Sequence, residues 1–263
     1  LLGVIVLLAV LAPLLATHDP YVLSGKPVSP PSAQHWLGTD GLGHDMYSML
    51  LYGIRNSLAI GVVAAAISGV IGTILGGVAG YFGGLADKLL SELFNIFLML
   101  PTFFLILIII ALFGSSLFNV MVVIGLTTWV SNARLMRAQS LSLRNRTFVM
   151  SALAIGETRT QILFRHIIPN GIFPIIANTT MNISGAILTE SALSFLGLGD
   201  PNVVSLGQIV SNGKHYLTSG WWICTFSGLL IILCVFSFYL IGDGLNRMLS
   251  PRLRDAGKVR NWN

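Results

Sequence analysis

Long apolar runs alternate with polar stretches along the chain, and most of those runs lack the one-sided periodicity of a soluble amphipathic helix. Six runs stand out, at 1–16, 57–80, 91–113, 117–133, 171–197 and 221–242. A bilayer core about 30 Å thick asks for roughly 20 apolar residues per crossing helix. The pattern therefore predicts an all-α integral membrane protein with about six transmembrane helices. Met46 to Asn56 reads as a partly amphipathic helix leading into the second run. Pro101 lies inside the third run and predicts a kink, because proline removes a backbone donor and crowds the preceding turn. In the second run and just beyond it, Gly72, Gly76, Gly80 and Gly84 recur at every fourth residue. That spacing strips side chains from one helix face and predicts close packing against another helix.

The polar stretches set the organisation. Residues 1–16 read as a first transmembrane helix that lacks its N-terminal flank, and 17–56 as an external segment rich in Pro, Gly and Ser. Residues 57–242 form the transmembrane core, including a basic loop at 131–170, and 243–263 form a tail.

Composition agrees with lipid as solvent: 54% of residues are hydrophobic and 10% charged, where a soluble domain carries about 25% charged residues. Charge also orients the chain. Six spans would put Lys88, the six arginines of 131–170, Arg247 and the four basic residues of the tail on one side, twelve in all, and only Lys26, Arg55 and Lys214 on the other. Lysine and arginine accumulate on the cytoplasmic side, so the 131–170 loop and both termini are expected there. The formal charge of +5 then reflects orientation and contact with the lipid bilayer, and no nucleic-acid partner is expected. Cys224 and Cys234 stand ten residues apart in one apolar run, about 15 Å along a helix and too far for a disulfide.

The basic loop carries the most information. Phe148, Ala152 and Ile155 recur at i, i+4, i+7 and predict a short helix with one apolar face. Gly156 follows as a helix stop, and Thr158 with Gln161 has the spacing of a capping box that starts a second short helix. Pro169 punctuates the run before the fifth apolar segment. A two-turn helix is unstable alone in water, so its apolar face needs either a partner or an anionic lipid surface.

Met150-Ser151-Ala152, then Gly156, then His166-Ile167-Ile168-Pro169 resembles the EAA loop of bacterial ABC importer permeases in spacing throughout. Met150 and Ser151 stand where that pattern has Glu and Ala, and His166 and Ile168 where it has Ile and Leu. Three further stretches resemble the dipeptide, oligopeptide and nickel permeases. They are His35-Trp36-Leu37-Gly38-Thr39-Asp40-Gly41-Leu42-Gly43-His44-Asp45, Thr189 to Gly199, and Gly242-Asp243-Gly244-Leu245 with Pro251-Arg252-Leu253. The resemblance implies a coupling helix seated in a groove of an ATPase subunit, with Phe148, Met150, Ser151, Ala152, Leu153, Ile155, Gly156, Glu157 and Pro169 as its residues. It also implies the partners: a homologous second permease subunit, two ATPase subunits that bind ATP and Mg, and an extracytoplasmic substrate-binding protein. Di- or oligopeptides are the expected cargo, with nickel or a metal chelate as the alternative.

No cofactor and no catalytic role are expected of this chain. It has no nucleophile–base constellation, no HExxH and no Gly-x-x-x-x-Gly-Lys-Ser/Thr, so any ATP hydrolysis belongs to a separate subunit. Glu190 is the one carboxylate well inside an apolar run. A charge there costs about 2.5–3.5 kcal/mol on insertion scales, so it is expected to face protein or a watery cavity, as a hydrogen-bond anchor ahead of a pathway group. His18, His35, His44 and His215 show no metal-ligand spacing and read as structural or solvated, and no metal site is expected. Asp40 and Asp45 read as caps of turns and helix starts. A secondary transporter would call for paired intramembrane charges or inverted repeats, and a membrane scaffold for a purely lipid-anchoring loop.

Overall fold

The computed structural model describes residues 1–249. These are helical with no strand, apart from an isolated bridge between Thr39 and Asp45. The helices are α1 (Leu2–Val10), α2 (Ala12–Leu15), α3 (Met46–Phe82), α4 (Gly84–Met99), α5 (Thr102–Phe113), α6 (Leu117–Thr128), α7 (Val130–Leu143), α8 (Thr147–Ala154), α9 (Arg159–Ile162), α10 (Ile168–Gly171), α11 (Phe173–Phe195), α12 (Leu206–Gly213) and α13 (Trp221–Leu249). A π turn, Leu163–Ile167, joins α9 to α10, and a 3-10 turn, Lys214–Tyr216, follows α12. The proposed Pro251-Arg252-Leu253 motif and the basic residues of the tail lie outside the described residues.

All six apolar runs are helical, but not each as one rod. α3 and α13 are individually long and apolar enough to cross a membrane. The pairs α4–α5 and Arg159–Gly171 with α11 qualify only together, and they bend by 83° and 63°. Length and apolarity thus give two crossing helices among the described residues, or four if each bent pair is one span, while α1 and α6 are shorter. Around Pro101 the chain breaks at Leu100 into two helices, which is more than the expected kink. The expected amphipathic entry helix is the first part of one 37-residue helix, α3. The run at 117–133 splits near Trp129, and its second part continues as α7 into the stretch assigned to the basic loop.

The chain divides into two compact units. The first comprises Leu1–Ala64, Ile106–Ile124 and Ile183–Phe238. Its core gathers Met46, Leu50 and Ile54 of α3 with Ile187, Leu206, Ile209 and Ile223. The polar stretch before α3 is a framework of turns closed by side chains. Asp40 Oδ1 accepts the N–H groups of Leu42, Gly43 and His44 at 2.9, 2.7 and 2.8 Å, and Asp45 Oδ2 caps α3 by accepting Ser48 N–H at 2.9 Å. Both aspartates are therefore the caps that their sequence context predicts.

The second unit comprises Ala65–Leu105, Gly125–Asn182 and the residues from Tyr239. Here the glycine stripe of α3 meets the backbone of α7. A Cβ on Gly72 would stand 2.7 Å from Trp129 O, one on Gly76 would overlap Ala133 O, and one on Gly80 would overlap Arg137 O. Close packing of two helices is thus the use of Gly72, Gly76 and Gly80. Gly84 does not take part, because it starts α4 at φ +56° with open space around it. Arg137 of α7 clamps Asp87 of α4 through two guanidinium hydrogen bonds of 2.5 and 2.9 Å, and Phe94 and Phe97 meet Trp129 edge-on.

Candidate coupling site

The basic loop of the second unit is built on a helix of eight residues, α8. Six of its eight residues are apolar (Phe148, Val149, Met150, Ala152, Leu153 and Ala154), and only the hydroxyl groups of Thr147 and Ser151 are polar. With so little polarity, sequence period alone does not decide which face turns inward. In the structure Val149 (0% exposed) and Ala152 face inward, packed with Met136, Ile162, Leu163, Ile167 and Ile175.

The expected face of Phe148, Ala152 and Ile155 is therefore divided: Ala152 is buried, while Phe148 and Ile155 stay on the surface. Phe148, Met150, Leu153 and Ile155 all turn outward, Met150 at 57% and Ile155 at 79% exposure. Phe164 of the π turn is half exposed as well. Ser151, Gly156 and Pro169 are also exposed. The sequence reading missed Val149 as the anchor, because its i, i+3 spacing to Ala152 is shared by Met150 and Leu153 and so singles out no face.

Gly156 ends α8 as expected. At φ +89° it occupies the left-handed region, where a Cβ is strained. Its N–H donates to Leu153 O and the N–H of Glu157 to Ala152 O, both at 3.1 Å, which is the paired closure of a Schellman motif. The Thr158–Gln161 capping box is present: Gln161 N–H donates to Thr158 Oγ1 at 3.3 Å, and Thr158 N–H to Gln161 Oε1 at 2.9 Å. Glu157 pairs with His166 Nε2 at 2.9 Å, and the His166 ring stands 6.5 Å from that of Phe148. One side-chain hydrogen bond thus ties the end of α8 to the π turn.

The helix that follows is longer than the short one expected. Arg159 to Gly171 runs continuously through the π turn, and the chain bends at Ile172. Pro169 does not end that helix. The π turn directly precedes α10, which has proline near its start, where a missing backbone donor costs little.

In the first unit Glu190 is 3% exposed. Its Oε1 accepts Ser194 Oγ at 2.7 Å and Ser205 Oγ at 2.6 Å, and Ser205 in turn caps α12 through Gln208 N–H at 3.1 Å. The carboxyl therefore joins α11 to the start of α12 rather than to the glycine-rich turn after Phe195. That stretch is pinned to α3 as well, by Asn56 Nδ2 to Val204 O at 2.7 Å and Leu206 N–H to Ser57 Oγ at 3.2 Å. Nearby, Tyr21, Asp40 and His44 line a cavity of about 340 Å³ together with Asn202, Gln208 and Asn212. Of the histidines expected to be structural or solvated, two are structural. His35 is buried against Asp45, and His18 comes close to both.

The chain is 37% identical to the probable D,D-dipeptide transport system permease protein DdpC of Escherichia coli, over 94% of this chain and 83% of that one. Identity is 38% to the dipeptide transport system permease protein DppC of Alkalihalophilus pseudofirmus, over 95% of this chain and 83% of the relative. It is 34% to the oligopeptide transport system permease protein OppC of Bacillus subtilis, again over 95% and 83%. The fold is similar to that in a solved inward-facing structure of the MetNI methionine ABC transporter, with a TM-score of 0.60, 21% identity and coverage of 78% of this chain and 98% of that chain. The model of the binding-protein-dependent transport system inner membrane component family matches residues 72–255, which hold the α8 loop, the glycine stripe and Glu190, and this chain belongs to that family as a membrane permease subunit.

Proposed function

We propose that this permease subunit forms half of the translocation pathway of an ATP-driven peptide importer and receives its drive through α8. The observation that carries the proposal is the division of α8 into two faces. Val149 and Ala152 fix the helix to its own unit, while Phe148, Met150, Leu153 and Ile155 stay outside as apolar surface. A helix held rigidly on one side and apolar on the other is suited to a groove on a partner, as in helix-in-groove recognition. The partner is an ATPase subunit that binds ATP and Mg, on the cytoplasmic side where the loop's arginines place α8. Both termini of this chain lie on that side of a bacterial inner membrane. A second, homologous permease subunit completes the pathway and carries its own ATPase.

A peptide cargo is supported by the relatives, whose names describe dipeptide, D,D-dipeptide and oligopeptide transport. The cavity lined by Tyr21, Asp40 and Asn202 belongs to the two segments, 17–56 and 199–220, that would receive substrate from the external binding protein. Glu190 serves as an anchor for α12 beneath that surface. The test is co-purification and transport. The wild-type chain brings down an ATPase and supports ATP-dependent peptide uptake in proteoliposomes with its binding protein. Ile155→Asp, on the outward face, loses the ATPase while the chain stays folded. Retention of the ATPase by that variant would overturn the docking role of α8.

A further inference from the structure

The 17–48 segment brings together three metal-ligating side chains that are far apart in sequence. Each of His18, His35 and Asp45 offers a ligand atom within 4.8 Å of the other two. Asp45 Oδ1 is 2.9 Å from His35 Nδ1 and 3.9 Å from His18 Nδ1. Its other oxygen, Oδ2, is already committed: it accepts Ser48 N–H at 2.9 Å, Ser48 Oγ at 2.8 Å and Thr17 Oγ1 at 3.3 Å. The carboxylate is thus held by one oxygen and presents the other to both imidazoles. Outer partners that orient a ligand in this way are the usual support of a metal site.

Burial is graded across the cluster. The Asp45 side chain is fully buried and His35 nearly so, whereas the His18 side chain is 35% exposed. The group opens to solvent on the His18 side.

We propose that His18, His35 and Asp45 form a binding site for a divalent first-row cation of the Zn²⁺ type. Two imidazoles and one carboxylate are the donor set of zinc and its transition-metal neighbours, whereas Mg²⁺ and Ca²⁺ prefer oxygen alone. Metal–ligand bonds of about 2.0–2.2 Å in a tetrahedron set neighbouring donor atoms roughly 3.4 Å apart. The 2.9 Å contact then widens and the 3.9 Å contact closes, each by about half an ångström of side-chain rotation. The cation replaces the His35–Asp45 hydrogen bond. It ties the chain after α2 and the turn at His35 to the start of α3, as a clip on this part of the first unit.

The experiment uses the assembled transporter in nanodiscs, stripped with a chelator, dialysed against Zn²⁺ and analysed for metal by mass spectrometry. His18→Ala is the first variant, because His18 is the most exposed of the three. Wild type is expected to hold one more zinc per copy of this chain than His18→Ala, with affinity reduced by more than the roughly 10–100-fold that loss of an outer partner costs. His18→Cys keeps a ligand and is expected to retain the zinc, which a purely hydrogen-bonding histidine would not explain. With Co²⁺ in place of Zn²⁺, wild type and His18→Cys are expected to show tetrahedral d–d absorption that His18→Ala lacks. Equal zinc content in wild type and His18→Ala, or displacement of the zinc by equimolar Mg²⁺, would overturn the site.

Discussion

The 17–48 segment and the loop from Arg144 to Gly171 use polar and apolar groups in opposite ways. In the first, carboxylates turn inward: Asp40 and Asp45 are buried and accept backbone N–H groups, so the turns before α3 are closed by the chain itself. In the second, apolar side chains turn outward, and Phe148, Met150, Leu153 and Ile155 remain exposed. Both segments are ordered by side chains at turns, Asp40 and Asp45 in one and the Thr158–Gln161 box with the Glu157–His166 pair in the other. The contrast teaches that local order and completeness are separate properties. One segment is finished by folding, while the other is fixed in place and still carries surface that a partner would bury.

The comparison predicts opposite kinds of damage. Asp45→Ala should cost most, about 3 kcal/mol, because it removes the cap of α3 and leaves Ser48 N–H and His35 without their acceptor. The readout is a lower thermal midpoint of the purified chain, and an unchanged midpoint would remove the basis for calling this segment self-contained. Ile155→Asp should leave that midpoint unchanged and weaken ATPase association by about 2 kcal/mol, roughly thirtyfold, as expected when one large apolar side chain loses its burial. A midpoint that falls with association intact would reverse the assignment of the two faces of α8.

Gly156→Val sharpens the contrast, because it alters the loop's geometry without touching its apolar face. A β-branched residue at φ +89° should cost about 1–2 kcal/mol and tilt the end of α8. ATP hydrolysis should then continue while peptide uptake falls, measured together in one proteoliposome preparation. Tight coupling in this variant would count against α8 as the transmitting element. Glu190→Gln should matter least, under about 1 kcal/mol, since an amide oxygen can still accept from Ser194 and Ser205. Normal assembly with lost uptake would instead make Glu190 a pathway group.

Much of this architecture is legible in the residues themselves. Apolar runs too long and too uniform for a soluble core announce membrane helices, whatever their partners. Glycine at every fourth residue announces a close helix contact, and Thr158 with Gln161 a helix start, because these signals act within a few residues of backbone. Tertiary structure decided the rest. Which side of α8 turns inward depended on Met136, Ile162 and Ile175, and a nearly all-apolar octet holds no period that could name them. The seating of α7 against Gly72, Gly76 and Gly80 and the meeting of His18, His35 and Asp45 likewise join residues distant along the chain, whereas the break at Leu100 lies beside Pro101, a local cause. Local chemistry fixes where helices begin and end, whereas faces and clusters are chosen by what folds against them.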